Sequence, residues 1–182
     1  MKAIMDTSNF NRMISAVKAF QGRGRTNKSL NFIRIEFRAA NSEAIAIASD
    51  GFRLSVEHAV AESDEDFTIY VDGKTRLPKG KNAIITLEGD EVMIRCDGYI
   101  FGHKQPSGNF FNWENAIPKD EPSFKIAFNG DYLLSALQAA KASCGGSYNS
   151  PIVLEFRTNM DPVVIKTNKN DIKLVLPIRT KE

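Results

Sequence analysis

The sequence predicts an α+β fold made of helix-plus-antiparallel-sheet halves with internal pseudo-symmetry. In two stretches, apolar residues recur at the spacing of an amphipathic helix. Elsewhere they alternate every second residue or form short apolar runs, as in strands. Each helical stretch is followed by a set of such runs, so the order helix then strands occurs twice in 182 residues. Because there is no regular strand–helix alternation and no glycine fingerprint, a nucleotide-binding α/β fold is not expected.

The first half begins with the stretch "NFNRMISAVKAFQ", residues 9–21. Its apolar positions predict a helix that starts with Ser8 as N-cap and ends before Gly22. Period-two alternation predicts a strand after residue 30, and "AIAIA" is apolar on both faces, which predicts an interior strand. The stretch "ASDGFRLS", residues 48–55, predicts a hairpin turn at Asp50-Gly51, and "FTIYVDG" predicts a further strand.

The middle of the chain is rich in predicted strands. "AIITLEGDEVMIRCDGYIFGHK" predicts a hairpin with its turn at Gly89-Asp90 and a third strand. Before it, "KTRLPKGK", residues 74–81, is too short and too polar for a helix, and residues 105–122 form a loop with three prolines and three aromatics. The second half then consists of a strand "FKIAF", a helix "YLLSALQAAK" capped by Asn129 or Asp131, and three terminal strands.

Composition indicates a globular protein without a membrane partner. Hydrophobic residues make up 42% and charged residues 25% of the chain. No apolar run approaches the roughly 18 residues that cross a bilayer. The N-terminus carries no secretory pattern, so we expect a cytoplasmic protein.

The charges are sorted along the chain although the net charge is only +2. Residues 1–40 hold eight Lys and Arg against two acids, whereas residues 41–72 hold eight acids against one Arg. This pattern predicts one basic surface, suited to a polyanion, and one acidic surface. A scatter of charge over solvated faces is the alternative.

No set of residues predicts catalysis, a metal or a cofactor. The two histidines, His58 and His103, fit no metal-ligand spacing. Cys96 and Cys144 lie far apart and match no ligand spacing, and no His or acid is placed to activate Cys144 in its "SCGG" loop. The acidic run "ESDED" lacks the glycine and the glutamate that a calcium loop needs. We therefore expect a protein that is not an enzyme.

Four stretches, in the same order along the chain, resemble the bacterial DNA sliding clamp, the beta subunit of DNA polymerase III. "ASDGFRLS" is similar to the "ATDGHRLA" element of the clamp's middle domain, with Phe52 in place of the usual His. "FFNWENAIPKDEP" is similar to the "FPDYRRVLPKN" junction before its last domain. "FNGDYLLSALQAAK" resembles the second helix of that last domain, and "IKLVLPIR" resembles the C-terminal "YVVMPMR". The resemblance implies a DNA-clamp-like processivity fold.

The resemblance also implies two binding sites. In the family, the Asp-Gly-x-Arg-Leu turn, the junction proline and the C-terminal residues form one pocket for short peptides of polymerases, the clamp loader and repair proteins. Carried over by motif, the peptide-binding pocket consists of Ser49, Gly51, Phe52, Arg53, Leu54, Pro118, Leu174, Leu176, Pro177, Ile178 and Arg179. The family's basic helices touch duplex DNA without reading its bases. The matching DNA-binding candidates here are Arg12, Lys18, Arg23, Arg25 and Lys28.

The chain departs from the family in length and in helix number. It is about half as long, and one helix of the middle domain and one of the last domain are not predicted. We expect residues 1–117 to be a middle-domain-like unit and residues 118–182 the second half of a last-domain-like unit. One clamp domain with a β insertion near 74–122 is the alternative.

The resemblance leaves two functions open. One is a clamp-like processivity or recruitment factor that binds duplex DNA non-specifically and also binds polymerase and clamp-loader peptides. The other is a non-ring interaction module that binds the same peptides and competes with or modulates a host clamp. We expect a homo-oligomer that associates through unpaired strand edges, with "FTIYVDG" and Val92–Cys96 as candidates; a six-copy ring, a smaller ring, a dimer and a monomer are all possible assemblies.

Overall fold

The computed structural model describes residues 1–24, 28–106, 108, 110–145, 151–168 and 170–179, in two compact units, residues 1–118 and 119–182. The first unit contains β1 (Lys2–Asp6), α1 (Thr7–Val17), β2 (Ile33–Arg38), β3 (Glu43–Ser49), β4 (Leu54–Val60), β5 (Glu62–Ser63), β6 (Phe67–Val71), β7 (Asn82–Glu88), β8 (Glu91–Cys96) and β9 (Tyr99–Lys104). The second contains α2 (Gly130–Ser143), β10 (Val153–Glu155), β11 (Val163–Lys166) and β12 (Ile172–Val175). Short 3-10 helices span Lys18–Phe20, Lys28–Asn31, Ala39–Asn41 and Trp113–Ala116. The predicted α+β class with antiparallel sheets is confirmed.

The first unit is built from two interlocked halves. Its sheets have the orders β4-β3-β2-β6 and β5-β1-β7-β8-β9, and all strand pairs are antiparallel. The strand β1, which precedes α1, pairs with β7 of the second half. In the same way β6, the first long strand of the second half, pairs with β2 of the first half. Each half therefore completes the sheet of the other.

The helix α1 forms where the apolar spacing predicts it. Phe10, Met13, Ile14 and Val17 are buried against the two sheets. Its N-cap is Asp6 rather than Ser8, because the Asp6 carboxylate accepts hydrogen bonds from the backbone N of Ser8 at 2.7 Å and of Asn9 at 3.3 Å. The strand β1 directly before this cap was not predicted.

Residues 72–81 contain no helix, as predicted, and they lie along α1. Asn11 donates to the carbonyl of Leu77 at 2.9 Å and accepts from its N–H at 3.0 Å. One turn away, Thr7 Oγ1 donates to the carbonyl of Gly80 at 2.6 Å. Leu77 itself is buried in the core. The loop is thus fixed beside the helix by side chains of the helix.

The strand β3 is an interior strand with apolar residues on both faces, as predicted. On one face, Ala44 and Ala46 belong to the main core with α1. On the other face, Ile45 and Ile47 pack against Phe110 and Trp113, which come from the proline-containing segment after β9. That segment therefore covers the outer side of the four-stranded sheet and ends beside the Asp50-Gly51 turn.

The second unit is a three-stranded sheet, β10-β11-β12, with α2 on one face. Ala140, Val163, Ile165 and Val175 form its small core. Asn129 caps α2, as predicted, by accepting from the backbone N of Asp131 at 3.0 Å and of Tyr132 at 3.2 Å. The predicted strand "FKIAF" is not a strand of this sheet; its Ala127 carbonyl accepts one backbone hydrogen bond, from Ile178 N at 2.8 Å.

Of the two strands predicted to have an unpaired edge, one does not have it. Val92–Cys96 lies in β8, which is hydrogen-bonded on both sides, to β7 and to β9. The other candidate, β6, does lie at the end of its sheet. Its Tyr70 is contacted there by two side chains: Gln105 Oε1 accepts from Tyr70 N at 2.8 Å, and His103 Nε2 lies 2.6 Å from Tyr70 O.

Among the described residues, no helix is long and apolar enough to span a membrane.

Candidate functional site

The turn between β3 and β4 is held in one conformation by its own side chains. Gly51 has φ +88°, a value that favours glycine, and its N–H donates to Ser49 Oγ at 3.1 Å. Asp50 Oδ1 accepts from the backbone N of Phe52 at 3.0 Å and of Arg53 at 2.9 Å. The sequence Ser-Asp-Gly is therefore the reason that a tight, preformed turn lies here.

Arg53 is bound to the turn and to the end of the first helix. Its Nε and Nη2 donate to Asp50 Oδ2 at 3.0 and 2.7 Å, and Nη2 also donates to the Ala19 carbonyl at 3.1 Å. The guanidinium lies 5.2 Å from the centre of the Phe20 ring, within cation–π range. The hydrogen bond from Arg53 is the main cause that holds the pKa of Asp50 below its ordinary value. Arg53 thus presents a fixed cation at this turn.

A cavity of about 500 Å³ opens beside the turn. Its lining residues are Leu30, Ser49, Gly51, Phe52, Arg53, Leu54, Phe111 and Ala116. Five of these residues are in the predicted peptide pocket. Phe52 is 96% exposed, so its ring is available to a ligand. The volume lies within the range of small-ligand and peptide-anchor pockets.

Three lining residues were missed by sequence reasoning. Leu30 comes from the segment before β2, while Phe111 and Ala116 come from the aromatic loop that precedes Pro118. The signal for the last two was present, because that loop is unusually rich in aromatics for a solvated connection. Leu30 reaches the cavity only through the folding of the chain, and neither a motif nor the local composition indicates this.

The other predicted pocket residues lie elsewhere in the chain. Pro118 is exposed at the end of the first unit. The tail residues belong to the second unit, at or directly after β12. Leu174, Leu176 and Ile178 are 60%, 70% and 50% exposed, Pro177 is half-buried and Arg179 is exposed. Leu174, Leu176 and Ile178 thus expose apolar surface to solvent.

A second cavity, of about 900 Å³, is lined by basic side chains. It is lined by Lys18, Ala19, Gln21, Gly22, Arg23, Asn31, Asp72, Gly73, Lys74 and Arg76. Gln21 bridges its two walls, since its Nε2 donates to the Asn31 carbonyl at 2.5 Å and its Oε1 accepts from Gly73 N at 3.0 Å. The predicted DNA residues Lys18 and Arg23 thus lie with two cations from the loop 72–81.

The remaining DNA candidates are placed differently. Arg12 is 50% exposed but donates to Glu57 Oε2 at 2.8 Å and to the His58 carbonyl at 2.6 Å. Lys28 is exposed in a 3-10 helix, and Arg25 lies outside the described residues. Sequence reasoning missed the cations of the loop, although four of its ten residues are basic: Lys74, Arg76, Lys79 and Lys81.

The two histidines have structural partners, and the two cysteines are buried. His58 Nδ1 lies 2.6 Å from Glu43 Oε1, and His103 contacts a backbone carbonyl of β6. Cys96 and Cys144 are buried free thiols, and burial raises the pKa of Cys96. Within the described parts of the chain, no three His, Cys, Asp or Glu side chains are grouped to hold a metal ion.

Comparison with solved structures relates this fold to one class of protein. The DNA polymerase sliding clamp of Bacillus subtilis matches with a TM-score of 0.71 and 16% identity over 100% of this chain and 65% of its own. The beta chain of DNA polymerase III from Streptococcus pneumoniae matches at 0.82 and 17%, over 98% and 50%. The beta subunit from Pseudomonas aeruginosa matches at 0.80 and 16%, over 99% and 52%.

Comparisons by sequence gave no match to a protein-family model or to a curated protein. The structural likeness covers essentially the whole chain, while the chain spans from half to about two thirds of the length of these clamps. The protein therefore has the fold of the bacterial DNA sliding clamps.

Proposed function

We propose that the protein is a non-catalytic, clamp-like replication factor that binds clamp-type peptides and contacts duplex DNA without reading its sequence. The observation that carries the proposal is the cavity at the Asp50-Gly51 turn. It is apolar in its lining and has a fixed cation, Arg53, at the turn. Apolar anchors of a peptide fit such a slot, and a positioned Arg fixes the polar part of the peptide.

Two features of the cavity favour a peptide over a small metabolite. It is open to solvent beside the turn, where Phe52 is almost fully exposed, so a peptide can lie across it. Its polar groups are few, since Ser49 Oγ already accepts from Gly51 and Arg53 is bound to Asp50. The free surface is supplied mainly by Phe52, Leu54 and Phe111, which recognise apolar side chains by contact area.

The basic surface beside α1 supports the DNA part of the proposal. Lys18, Arg23, Lys74 and Arg76 line one cavity, and the only acid in that lining is Asp72. Flexible Lys and Arg side chains at a surface neutralise phosphates and release counterions, which gives non-specific binding. Among the described residues that line this cavity none is aromatic, so we expect phosphate contacts there rather than stacking on bases.

One observation favours the second candidate function, a non-ring module that binds the same peptides and modulates a host clamp. Among the described residues the chain has two α-helices. A module of this kind would keep the peptide cavity and would not need to encircle DNA.

The proposal is tested by titration calorimetry with a clamp-type peptide, a Gln followed by Leu and a terminal Leu-Phe pair. We expect micromolar affinity, lost in Leu54→Ser. Ile84→Ser is the matched control, because Ile84 is an exposed apolar strand residue of the same unit outside the cavity. Leu176→Ser tests whether the C-terminal residues of the predicted pocket contribute to peptide binding. Absence of heat at millimolar peptide, or equal binding by Leu54→Ser, contradicts the peptide site.

A further inference from the structure

The second unit repeats the first half of the first unit, element by element. The first half has the order β1, α1, β2, β3, β4, and the second unit has residues 124–128, α2, β10, β11, β12. The two N-caps align, since Asp6 and Asn129 each accept from the backbone N of the second and third residues that follow. With the caps aligned, the buried residues Phe10, Met13, Ile14 and Val17 of α1 coincide with Leu133, Ala136, Leu137 and Ala140 of α2. We call this shared arrangement a half-domain.

The first unit shows how two half-domains join. The first half contributes β1 and β2, which lie before and after its helix, and β6 and β7 hold the same two positions in the second half. The earlier strand of each half pairs with the later strand of the other half, β1 with β7 and β6 with β2. In one junction Ala3 of β1 lies opposite Ile85 of β7, and in the other Ile69 of β6 lies opposite Ile35 of β2. The two junctions are antiparallel and equivalent, as a local two-fold axis requires.

The second unit has an open edge at each of these two positions. The strand β10, the counterpart of β2, is the end strand of its sheet. Residues 124–128, the counterpart of β1, accept a backbone bond at Ala127 from Ile178. Ala127 corresponds to Ile4, which lies opposite Glu62 in the pairing of β1 with β5. Their other side, which corresponds to the β7 side of β1, has no strand partner among the described residues.

The side chains along these edges are exposed on the face where their counterparts are buried. Leu154 lies opposite Ile165, which is 0% exposed, so it belongs to the helix-facing side of the sheet. Nevertheless Leu154 is 43% exposed, whereas its counterpart Ile35 is 1% exposed. Phe156 and Phe124 form a ring pair 6.3 Å apart and are 44% and 46% exposed. The exposed apolar face of the second unit therefore corresponds to the face that a second sheet covers in the first unit.

We propose that a second copy of this chain supplies that sheet. Residues 124–128 of each copy pair antiparallel with residues 152–156 of the other, and the two second units together form the equivalent of one complete first unit. The register follows from the first unit, and it places Phe124 opposite Phe156, Ile126 opposite Leu154, and Phe128 opposite Ile152. Such an interface is self-complementary and closes at two copies. The inference goes beyond the proposed function and does not depend on it.

The proposed pairing of residues 124–128 with residues 152–156 brings two aromatic side chains together. In the first unit Phe37 and Phe67 lie opposite each other on β2 and β6 and stack at 4.7 Å. The aligned positions between copies are Phe156 and Phe124, so the same aromatic contact forms twice in the dimer. No proline interrupts either edge, and the one charge on β10, Glu155, is paired with Lys166 at 2.7 Å. Both edges are thus free to form strand hydrogen bonds.

Sedimentation of the full chain at micromolar concentration tests the dimer. We expect about twice the monomer mass of 20.2 kDa. Leu154→Lys places a charge in the interface and gives a monomer. The matched control is Ile172→Lys, because Ile172 is 65% exposed but lies opposite Lys166, on the outer face of the same sheet. It stays a dimer. A wild-type monomer, or a dimer that only the control variant dissociates, overturns the proposal.

Cross-linking tests the register even if Leu154→Lys fails to fold. Directly opposed residues of antiparallel strands have Cα atoms about 4.5–5.5 Å apart, which suits a disulfide. The double variant Ile126→Cys/Leu154→Cys therefore forms a disulfide-linked dimer under mild oxidation, which reducing agent dissolves. Ile126→Cys/Ile172→Cys does not, and the native thiols are buried. No cross-link in the first variant, or equal cross-linking in both, overturns the pairing.

Discussion

The loop 72–81 is predicted to make half of the phosphate contacts of the basic cavity. Four cations line that cavity: Lys18, Arg23, Lys74 and Arg76. If each makes one contact, the slope of log K against log salt is about −3.6, and affinity for duplex DNA falls about 150-fold between 50 and 200 mM salt. In Lys74→Ala/Arg76→Ala the slope becomes about −1.8, and the fall is about 12-fold.

The assay is fluorescence anisotropy with a labelled duplex of mixed sequence over a salt series. The matched control is Arg95→Ala/Lys104→Ala, which removes the same charge from exposed strand residues of β8 and β9. Neither residue lines the basic cavity. We expect the control to keep the wild-type slope. An unchanged slope in Lys74→Ala/Arg76→Ala, or an equal change in the control, refutes the assignment of DNA contacts to the loop.

Three further predictions concern the first unit. Gly73→Ala lowers its free energy of unfolding in urea by about 0.5–1.5 kcal/mol, because an added Cβ would lie 2.2 Å from Gln21 Oε1 and displace that oxygen from its 3.0 Å hydrogen bond with Gly73 N. Gly24→Ala, with nothing within 4 Å of the added Cβ, has no such effect. Trp113→Phe costs about 1.5–3 kcal/mol in the same assay, because it removes the 2.9 Å bond from Nε1 to Glu36, and an unchanged midpoint contradicts this. Arg53→Ala raises the pKa of Asp50, which a carboxyl NMR titration measures. Because the pKa of Asp50 is lowered in the folded wild type, the stability that this pair contributes is lost as pH falls through that lowered value. The wild type and Arg53→Ala should therefore approach the same free energy of unfolding in acid.

The elements that the sequence predicts well are those with a strong local pattern. The helix α1 has its apolar side chains at helical spacing, and β3 is apolar on both faces because it separates two clusters. By contrast, β1 is a short strand that runs directly into the helix, so its pattern merges with that of α1. The segment 124–128 has strand-like alternation, but a strand needs a partner strand, and within the described parts of the chain this segment has a single such backbone bond, from Ile178 to Ala127.

For the candidate sites, motif and composition predict the turn but not its neighbours. Ser49, Asp50 and Gly51 specify the turn through their own hydrogen bonds. The basic cavity depends on long-range contacts, since the bonds between Asn11 and Leu77 bring the loop beside α1. For the same reason the sequence could not show that Arg12 of α1 is paired with Glu57, which lies on β4.

The most direct test of the central claim is a chemical-shift titration of the isotope-labelled full chain with the clamp-type peptide. The cavity at the turn predicts that the largest amide shifts occur at Gly51, Phe52 and Leu54, with a further shift at Phe111. They should saturate at the affinity that calorimetry gives. Shifts confined to residues outside this cavity, or no shifts at millimolar peptide, would contradict the proposal that this turn is a peptide-binding site.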